Sequence, residues 1–263
     1  MWTRIISAVV ALPPTLAAIY FGPPFFDGLI ALACAVLIWE WGRLCGRKAI
    51  STEVALAGLC LIGAIAVAGF GRYDLAFALL GAGVVLAGGA AMLRGRNGGA
   101  RWVAAGVVYI GIPTLSMVWL RDGAGRDTIF WLFAVVWATD TGAYAFGRAI
   151  GGPKLLPRVS PKKTWAGLIG GIICAGAVGA AFAFGAGRSS LWPLAVYSGF
   201  LAVVAQGGDL FESWVKRHFG VKDSGAIMPG HGGLLDRVDG LLAVAAVVAL
   251  VSLINGKNGL AWL

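Results

Sequence analysis

Apolar runs of about 20 residues, the length that crosses a bilayer as a helix, recur along the entire chain. Nine such runs cover residues 5–21, 25–42, 50–70, 75–93, 102–120, 128–147, 165–187, 191–208 and 234–254. Only 13% of the residues are charged, whereas a soluble domain has about 25%. So few charges exclude a water-soluble fold, and the high apolar content excludes disorder. The sequence predicts an all-α polytopic integral membrane protein with about nine transmembrane helices.

Basic residues are distributed unevenly between the two sets of loops. Of the 21 Lys and Arg, sixteen lie at the N-terminus or after the second, fourth, sixth and eighth runs. The positive-inside rule then places the N-terminus in the cytoplasm and the C-terminus outside. The same rule accounts for the net charge of +9, so no nucleic-acid partner is expected. We divide the chain into 1–127, with about five spans, and 128–263, with cytoplasmic loops 148–164 and 209–233.

Small residues recur every four positions in the seventh run. They are Gly167, Gly171, Ala175, Gly179, Ala183 and Gly187. Such a stripe lets two helix backbones approach closely, either inside the bundle or between the protomers of a homodimer. Most tryptophans, Trp41 and Trp102 among them, lie near the ends of runs, where an aromatic belt at the membrane interface is expected.

Five of the 12 acidic residues are concentrated between positions 209 and 239. Asp209, Glu212, Ser213 and Lys216 share one face of a helix continuing from the eighth run, and Asp236 and Asp239 share a face of the ninth. Carboxylates with few Cys or His nearby suit Mg²⁺, which in turn suits phosphates. Four basic residues offer further charge for a phosphate: Lys216, Arg217, Lys222 and Arg237.

Other charged residues lie inside or beside apolar runs. Asp140, Tyr144 and Arg148 fall on one helix face, where they either form a structural pair or line a site. Glu40 is expected to pair with Arg43 or to line a site, and Glu53 to be a solvated loop residue.

Two glycine- or proline-containing segments complete the polar regions. Ser160-Pro161-Lys162-Lys163-Thr164 predicts a helix start, with Ser160 as N-cap, where an anion would offset the lysines. His231 lies between glycines, and its role as phosphate ligand, proton carrier or loop brace stays open.

Three stretches of the C-terminal half closely resemble the phosphatidate cytidylyltransferases, or CDP-diacylglycerol synthases. The longest comprises residues 213–217 (SWVKR), 222–225 (KDSG) and 229–239 (PGHGGLLDRVD). The others are 140–144 (DTGAY) with Gly147-Arg148, and 160–165 (SPKKTW) with Gly167. Met228 departs mildly from the Leu, Ile or Phe that is usual in the family.

The resemblance implies that CTP and phosphatidate react to give CDP-diacylglycerol and pyrophosphate at a cytoplasmic site in the inner membrane. It implies Mg²⁺, at one site or two, held first by Asp209 and Asp236 and next by Asp140, Asp223 and Asp239. Lys216, Arg217 and His231 are the further candidate catalytic residues. The candidate substrate-binding residues are Tyr144, Arg148, Ser160, Lys162, Lys163, Thr164, Ser213, Lys222 and Arg237.

Three other functions fit parts of the sequence less well. A CTP-dependent lipid-alcohol kinase has related motifs, but the motif at 213–239 favours the cytidylyltransferase. A CDP-alcohol phosphatidyltransferase would require Arg in place of Val244. A membrane transporter predicts mid-membrane polar residues and a repeat between halves, and neither is evident.

Overall fold

The computed structural model of the chain describes residues 2–46, 51–94, 97–225, 227 and 232–256. Helices dominate this part of the chain. They are α1 (Trp2–Phe21), α2 (Phe25–Leu44), α3 (Thr52–Ala68), α4 (Tyr73–Leu93), α5 (Asn97–Ala149), α6 (Trp165–Gly185), α7 (Trp192–His218) and α8 (Leu235–Ile254). Strands β1 (Lys154–Leu156) and β2 (Ser160–Thr164) form an antiparallel pair between α5 and α6.

Helix ends follow local sequence signals. Ser51 has extended backbone angles and caps α3 by accepting a hydrogen bond from the Val54 N–H. Gly125 has φ +78°, a conformation that favours glycine, and it interrupts α5. Each of the nine predicted runs lies largely within a helical segment once α5 is divided at Gly125.

Six of these helices are long and apolar enough to cross a membrane: α2, α4, α5, α6, α7 and α8. Helix α3 and Ala11–Phe21 of α1 are apolar but shorter. The class of polytopic α-helical membrane protein is therefore confirmed, while the number of nine crossings and the orientation stay predictions.

The chain divides into two compact units, and α5, α7 and α8 each contribute residues to both. The first unit comprises Met1–Arg126 and His218–Val238. In it, α1 packs on α2, α2 on α3, and α3 on α4. Trp41 is buried in this unit and its indole N–H donates to the Trp102 carbonyl at 2.7 Å. The prediction of an interfacial position is therefore wrong for Trp41, because its N–H is bonded inside the bundle.

Asp127–Arg217 and Asp239–Leu263 form the second unit. The small-residue stripe of α6 packs inside it: a Cβ on Gly171 would lie 3.0 Å from the Thr139 carbonyl oxygen. Further along α6, a Cβ on Gly179 would lie 2.5 Å from the Leu194 carbonyl oxygen. Contact within one chain thus accounts for the stripe from Gly167 to Ala183, and Gly187 lies beyond the end of the helix.

The predicted helix start at Ser160 is wrong. Residues 160–164 form β2, and α6 begins at Trp165. Thr164 is the N-cap, because its hydroxyl accepts a hydrogen bond from the Gly167 N–H at 3.1 Å. A residue that precedes proline rarely adopts helical backbone angles. Ser160 is therefore extended, and it pairs with Leu156 of β1. By contrast, the predicted continuation of the eighth run as a helix into segment 209–233 is confirmed, because α7 extends to His218.

Candidate active site

Polar side chains of the second unit converge on an open pocket of about 310 Å³. Residues after Gly125 in α5, the end of β2, the start of α6 and the middle of α7 form its walls. Seven of its lining residues were predicted as site residues: Asp140, Tyr144, Arg148, Lys162, Lys163, Thr164 and Asp209. The resembling stretches at 140–148 and 160–167 thus meet the α7 residue Asp209 in this pocket.

Lys163 and Asp209 form the central ion pair of the pocket. The Lys163 ammonium nitrogen lies 2.6 Å from Oδ2 of Asp209. The same ammonium group donates to the carbonyl oxygen of Gln206, one turn earlier in α7, at 3.4 Å. Ser213 donates its hydroxyl hydrogen to Oδ1 of Asp209 at 3.3 Å. These contacts fix Asp209 from two directions and link β2 to α7.

Asp239 brings a second carboxylate to this pair. Its side chain interacts electrostatically with Asp209, Asp140 and Lys163. Close helix packing makes this approach possible, because a Cβ on Gly208 would lie 2.7 Å from the Asp239 carbonyl oxygen. Three helices, α5, α7 and α8, therefore each contribute one carboxylate to this group of interacting charges.

At the α5 wall, Tyr144 and Arg148 lie one helical turn apart. The Arg148 guanidinium donates to the Tyr144 hydroxyl at 2.8 Å, and both side chains are exposed. Lys162 is exposed on β2, next to the less exposed Lys163. Ser160 pairs with β1 through its backbone and is not among the residues that line the pocket. Lys162 and Arg148 thus offer positive charge at the wall of the pocket.

The donor chemistry of this pocket fits Mg²⁺. Its acidic ligands are oxygen atoms, which a hard cation prefers. Within the described ranges, no group of three or more His, Cys, Asp or Glu side chains is arranged to hold a metal. Mg²⁺ is usually bound by one or two carboxylates together with water and substrate phosphates. Asp209 and Asp239 match that requirement, and substrate oxygens would complete the coordination.

Asp236 belongs to a separate cluster in the first unit. Its Oδ2 accepts hydrogen bonds from the Ser224 N–H at 3.0 Å, the Ser224 hydroxyl at 3.0 Å and the Gly233 N–H at 2.8 Å. This carboxylate therefore holds together the loop before α8 and the first turn of that helix.

Glu40 belongs to the same cluster. It accepts hydrogen bonds from the N–H groups of Leu234 and Leu235, which replaces the predicted pairing with Arg43, while the alternative that it lines a site stays a prediction. The only sequence signal was a glutamate inside an apolar run, which is costly without hydrogen-bond partners. Glu53 is also buried and pairs with Arg94 at 3.0 Å, so its expected solvation is wrong.

The remaining predicted site residues have different surroundings. Lys216 is buried and forms an ion pair with Glu212 one turn earlier. Side chains of Arg217, Lys222, Asp223 and Arg237 are exposed. His231 lies outside the described residues. Gln206 lines the pocket, and its backbone carbonyl accepts a hydrogen bond from Lys163. The sequence did not predict this contact, because it does not involve the Gln206 side chain.

A membrane-embedded fold whose carboxylates and lysines meet in one open pocket is typical of an enzyme acting on phosphorylated substrates. Comparison with known proteins agrees with this class. Residues 2–254 match the Cytidylyltransferase family, and the chain belongs to that family. It is therefore a nucleotidyltransferase.

Two curated relatives show how far the similarity extends. The phosphatidate cytidylyltransferase of Brucella suis biovar 1 (strain 1330) is 44% identical over 254 residues, which is 94% of this chain and 92% of the relative. The phosphatidate cytidylyltransferase of Staphylococcus haemolyticus (strain JCSC1435) is 45% identical over 146 residues, 55% of this chain and 56% of the relative. The resemblance seen in the motifs is thus confirmed over nearly the whole chain.

Proposed function

We propose that this chain transfers the cytidylyl group of CTP to phosphatidate, giving CDP-diacylglycerol and pyrophosphate for phospholipid biosynthesis. The observation that carries the proposal is the 44% identity to a phosphatidate cytidylyltransferase over 94% of the chain. The pocket supports it, because it offers the carboxylate of Asp209 for a cation and the positive charges of Lys162 and Lys163 for phosphates.

In this reaction, a phosphate oxygen of phosphatidate attacks the α-phosphorus of CTP, and pyrophosphate leaves from the opposite side. A phosphate monoester has a second pKa of about 6, so the nucleophile is already ionised near neutral pH. No general base is required, and the protein contributes positioning and charge. Lys162 and Arg148 contact phosphate oxygens, while Lys163 keeps Asp209 in place.

Mg²⁺ belongs to the proposal as the cation of this pocket. When bound, it neutralises charge on the phosphate oxygens. Asp209 and Asp239 are the proposed ligands in the second unit, with Asp140 nearby. Asp236 and Asp223 are proposed from the family resemblance alone, and the number of ions, one or two, is left to experiment.

The membrane arrangement extends the proposal. Nine crossings place the N-terminus in the cytoplasm and the C-terminus outside, with the protein in the inner membrane. The charge distribution of the loops supports this orientation. It gives a pocket that opens to the compartment containing CTP, while phosphatidate arrives from the bilayer. A homodimer is also proposed, without the small-residue stripe of α6 as its interface.

The test is a product assay with purified full-length protein in lipid. We would supply phosphatidate, Mg²⁺ and CTP labelled at the α-phosphate, and expect label in the lipid fraction with release of pyrophosphate. If CDP forms when a lipid alcohol replaces phosphatidate, the protein is instead a CTP-dependent lipid-alcohol kinase. Formation of neither product by folded protein would contradict both enzymes and favour the transporter.

A matched pair of variants ties the activity to the pocket. Asp209→Asn keeps the size of the side chain but removes its charge, and we expect loss of label transfer. Asp74→Asn removes the carboxylate of an exposed ion pair with Arg72 in the first unit and should leave transfer unchanged. Equal activity of Asp209→Asn and wild type would remove the pocket from the mechanism.

A further inference from the structure

Glu40 is a buried acidic residue within an apolar helix. Its side chain is 0% exposed in α2. Oε1 accepts the Leu234 N–H at 2.9 Å, and Oε2 accepts the Leu235 N–H at 2.8 Å. The N–H groups at a helix start have no partner inside the helix, and negative charge there is favourable. Glu40 therefore supplies acceptors for the start of α8 from a helix nearly 200 residues away in sequence.

Two glycines of the resembling stretch let the backbone approach this carboxylate. A Cβ on Gly225 would lie 2.7 Å from Oε1 of Glu40. A Cβ on Gly233 would lie 2.7 Å from Oε1 and 2.8 Å from Oε2. A side chain at either position would displace the Glu40 carboxylate, so the two glycines let the backbone fit closely around it.

Asp236 binds the same two backbone segments as Glu40. It accepts hydrogen bonds from the Ser224 and Gly233 N–H groups, while Glu40 accepts from Leu234 and Leu235. The Ser224 hydroxyl lies 3.0 Å from Asp236 and 3.5 Å from Glu40. The position of the Asp236 carboxylate thus depends on contacts that Glu40 makes with the adjoining residues.

We propose that Glu40 is a positioning residue for the cytidylyl transfer. It fixes the first turn of α8, and through that turn it fixes Asp236. The inference rests on the proposed function for its kinetic consequence, whereas the effect on the α8 start is independent of any reaction. Without two acceptor oxygens at this point, the first turn shifts and the Asp236 carboxylate loses its defined place.

Glu40→Gln tests this role with little change in volume. One side-chain oxygen becomes an NH₂ group, which cannot accept, so one of the two backbone N–H groups loses its partner. Glu53→Gln is the matched control, because Glu53 is also fully buried in the first unit but pairs with Arg94. Both variants would be studied as full-length protein in lipid, by kinetics, thermal unfolding and hydrogen exchange.

For Glu40→Gln, we expect kcat to fall about tenfold to a hundredfold, the range for one buried hydrogen bond lost, with a much smaller change in the KM for CTP. Amide exchange should become faster within residues 222–238 and stay unchanged in α4. Glu53→Gln should lower thermal stability without either effect.

Several results would overturn the role. They are a wild-type kcat in Glu40→Gln, unchanged exchange in 222–238, or equal losses of kcat in both variants at equal loss of thermal stability. If wild-type protein forms no CDP-diacylglycerol, the proposed function fails. In that case the exchange data alone decide whether Glu40 positions the start of α8.

Discussion

The ammonium group of Lys163 lies 2.6 Å from the Asp209 carboxylate, which joins the β-hairpin to α7 at the floor of the pocket. This pair connects the resembling stretch at 160–165 with Asp209, the residue that the resemblance implies first as a metal ligand. Lys163 also donates to the Gln206 carbonyl, so its position is defined by two oxygens of one helix.

Replacing Lys163 by Met should lower kcat about a hundredfold or more, because Asp209 loses the cation that keeps it in place for charge stabilisation in the reaction. The measurement is label transfer from CTP to lipid under saturating substrates. Lys154→Met is the control, since Lys154 is an exposed lysine in the partner strand and does not line the pocket. Equal activities of the two variants would contradict a role for the pair.

Lys162 is exposed at the pocket wall, and its removal should affect binding more than chemistry. We expect Lys162→Ala to raise the KM for CTP about tenfold, as for one lost charge-assisted contact, with a small change in kcat. Initial rates at varied CTP concentration measure both constants. An unchanged KM would remove Lys162 from the phosphate-binding residues.

Adjacent glycines in α7 test the approach of Asp209 to Asp239. Gly208→Ala introduces a Cβ that would lie 2.7 Å from the Asp239 carbonyl oxygen, so α7 and α8 must separate. We expect loss of label transfer together with a lower unfolding temperature. A Cβ on the preceding residue, Gly207, would lie in open space, so Gly207→Ala should behave like wild type. Full activity in Gly208→Ala would show that the close approach is unnecessary.

The small-residue stripe predicts a stability effect that is independent of activity. Gly171→Val places atoms within 3.0 Å of the Thr139 carbonyl oxygen and should destabilise the protein by about 1–3 kcal/mol, the usual cost of overpacking. Thermal unfolding in detergent measures the change. Gly185→Val, at the open end of the same helix, is the control. A similar decrease of the unfolding temperature in both variants would indicate an effect of helix propensity alone.

Membrane orientation is testable by cysteine labelling. In a background with Cys34, Cys45, Cys60 and Cys174 replaced by Ala, we expect Lys154→Cys to react with an impermeant maleimide in inverted vesicles only. Asp74→Cys, in the first turn of α4 on the side predicted to face outside, should react in intact cells only. The reverse pattern would place the N-terminus outside and contradict the positive-inside assignment.

Sequence patterns predicted more about the chemical groups of the site than about their local structure. Asp140, Lys162, Lys163 and Asp209 were all identified, and they line one pocket. The helix start at Ser160 was not predicted correctly, because hydrogen bonding across β1 and β2 decides its conformation. A strand pair depends on a partner segment that local capping rules do not consider.

By itself, the sequence determined the class of membrane protein and its family, because bilayer-spanning length and the motif at 213–239 are both local properties of the chain. Tertiary structure alone decided which charged groups meet. Lys163 pairs with Asp209, and Glu40 with the start of α8, because helices packed at glycines bring together residues that are distant in sequence. Such contacts depend on close packing in three dimensions, and no periodicity along the chain specifies them.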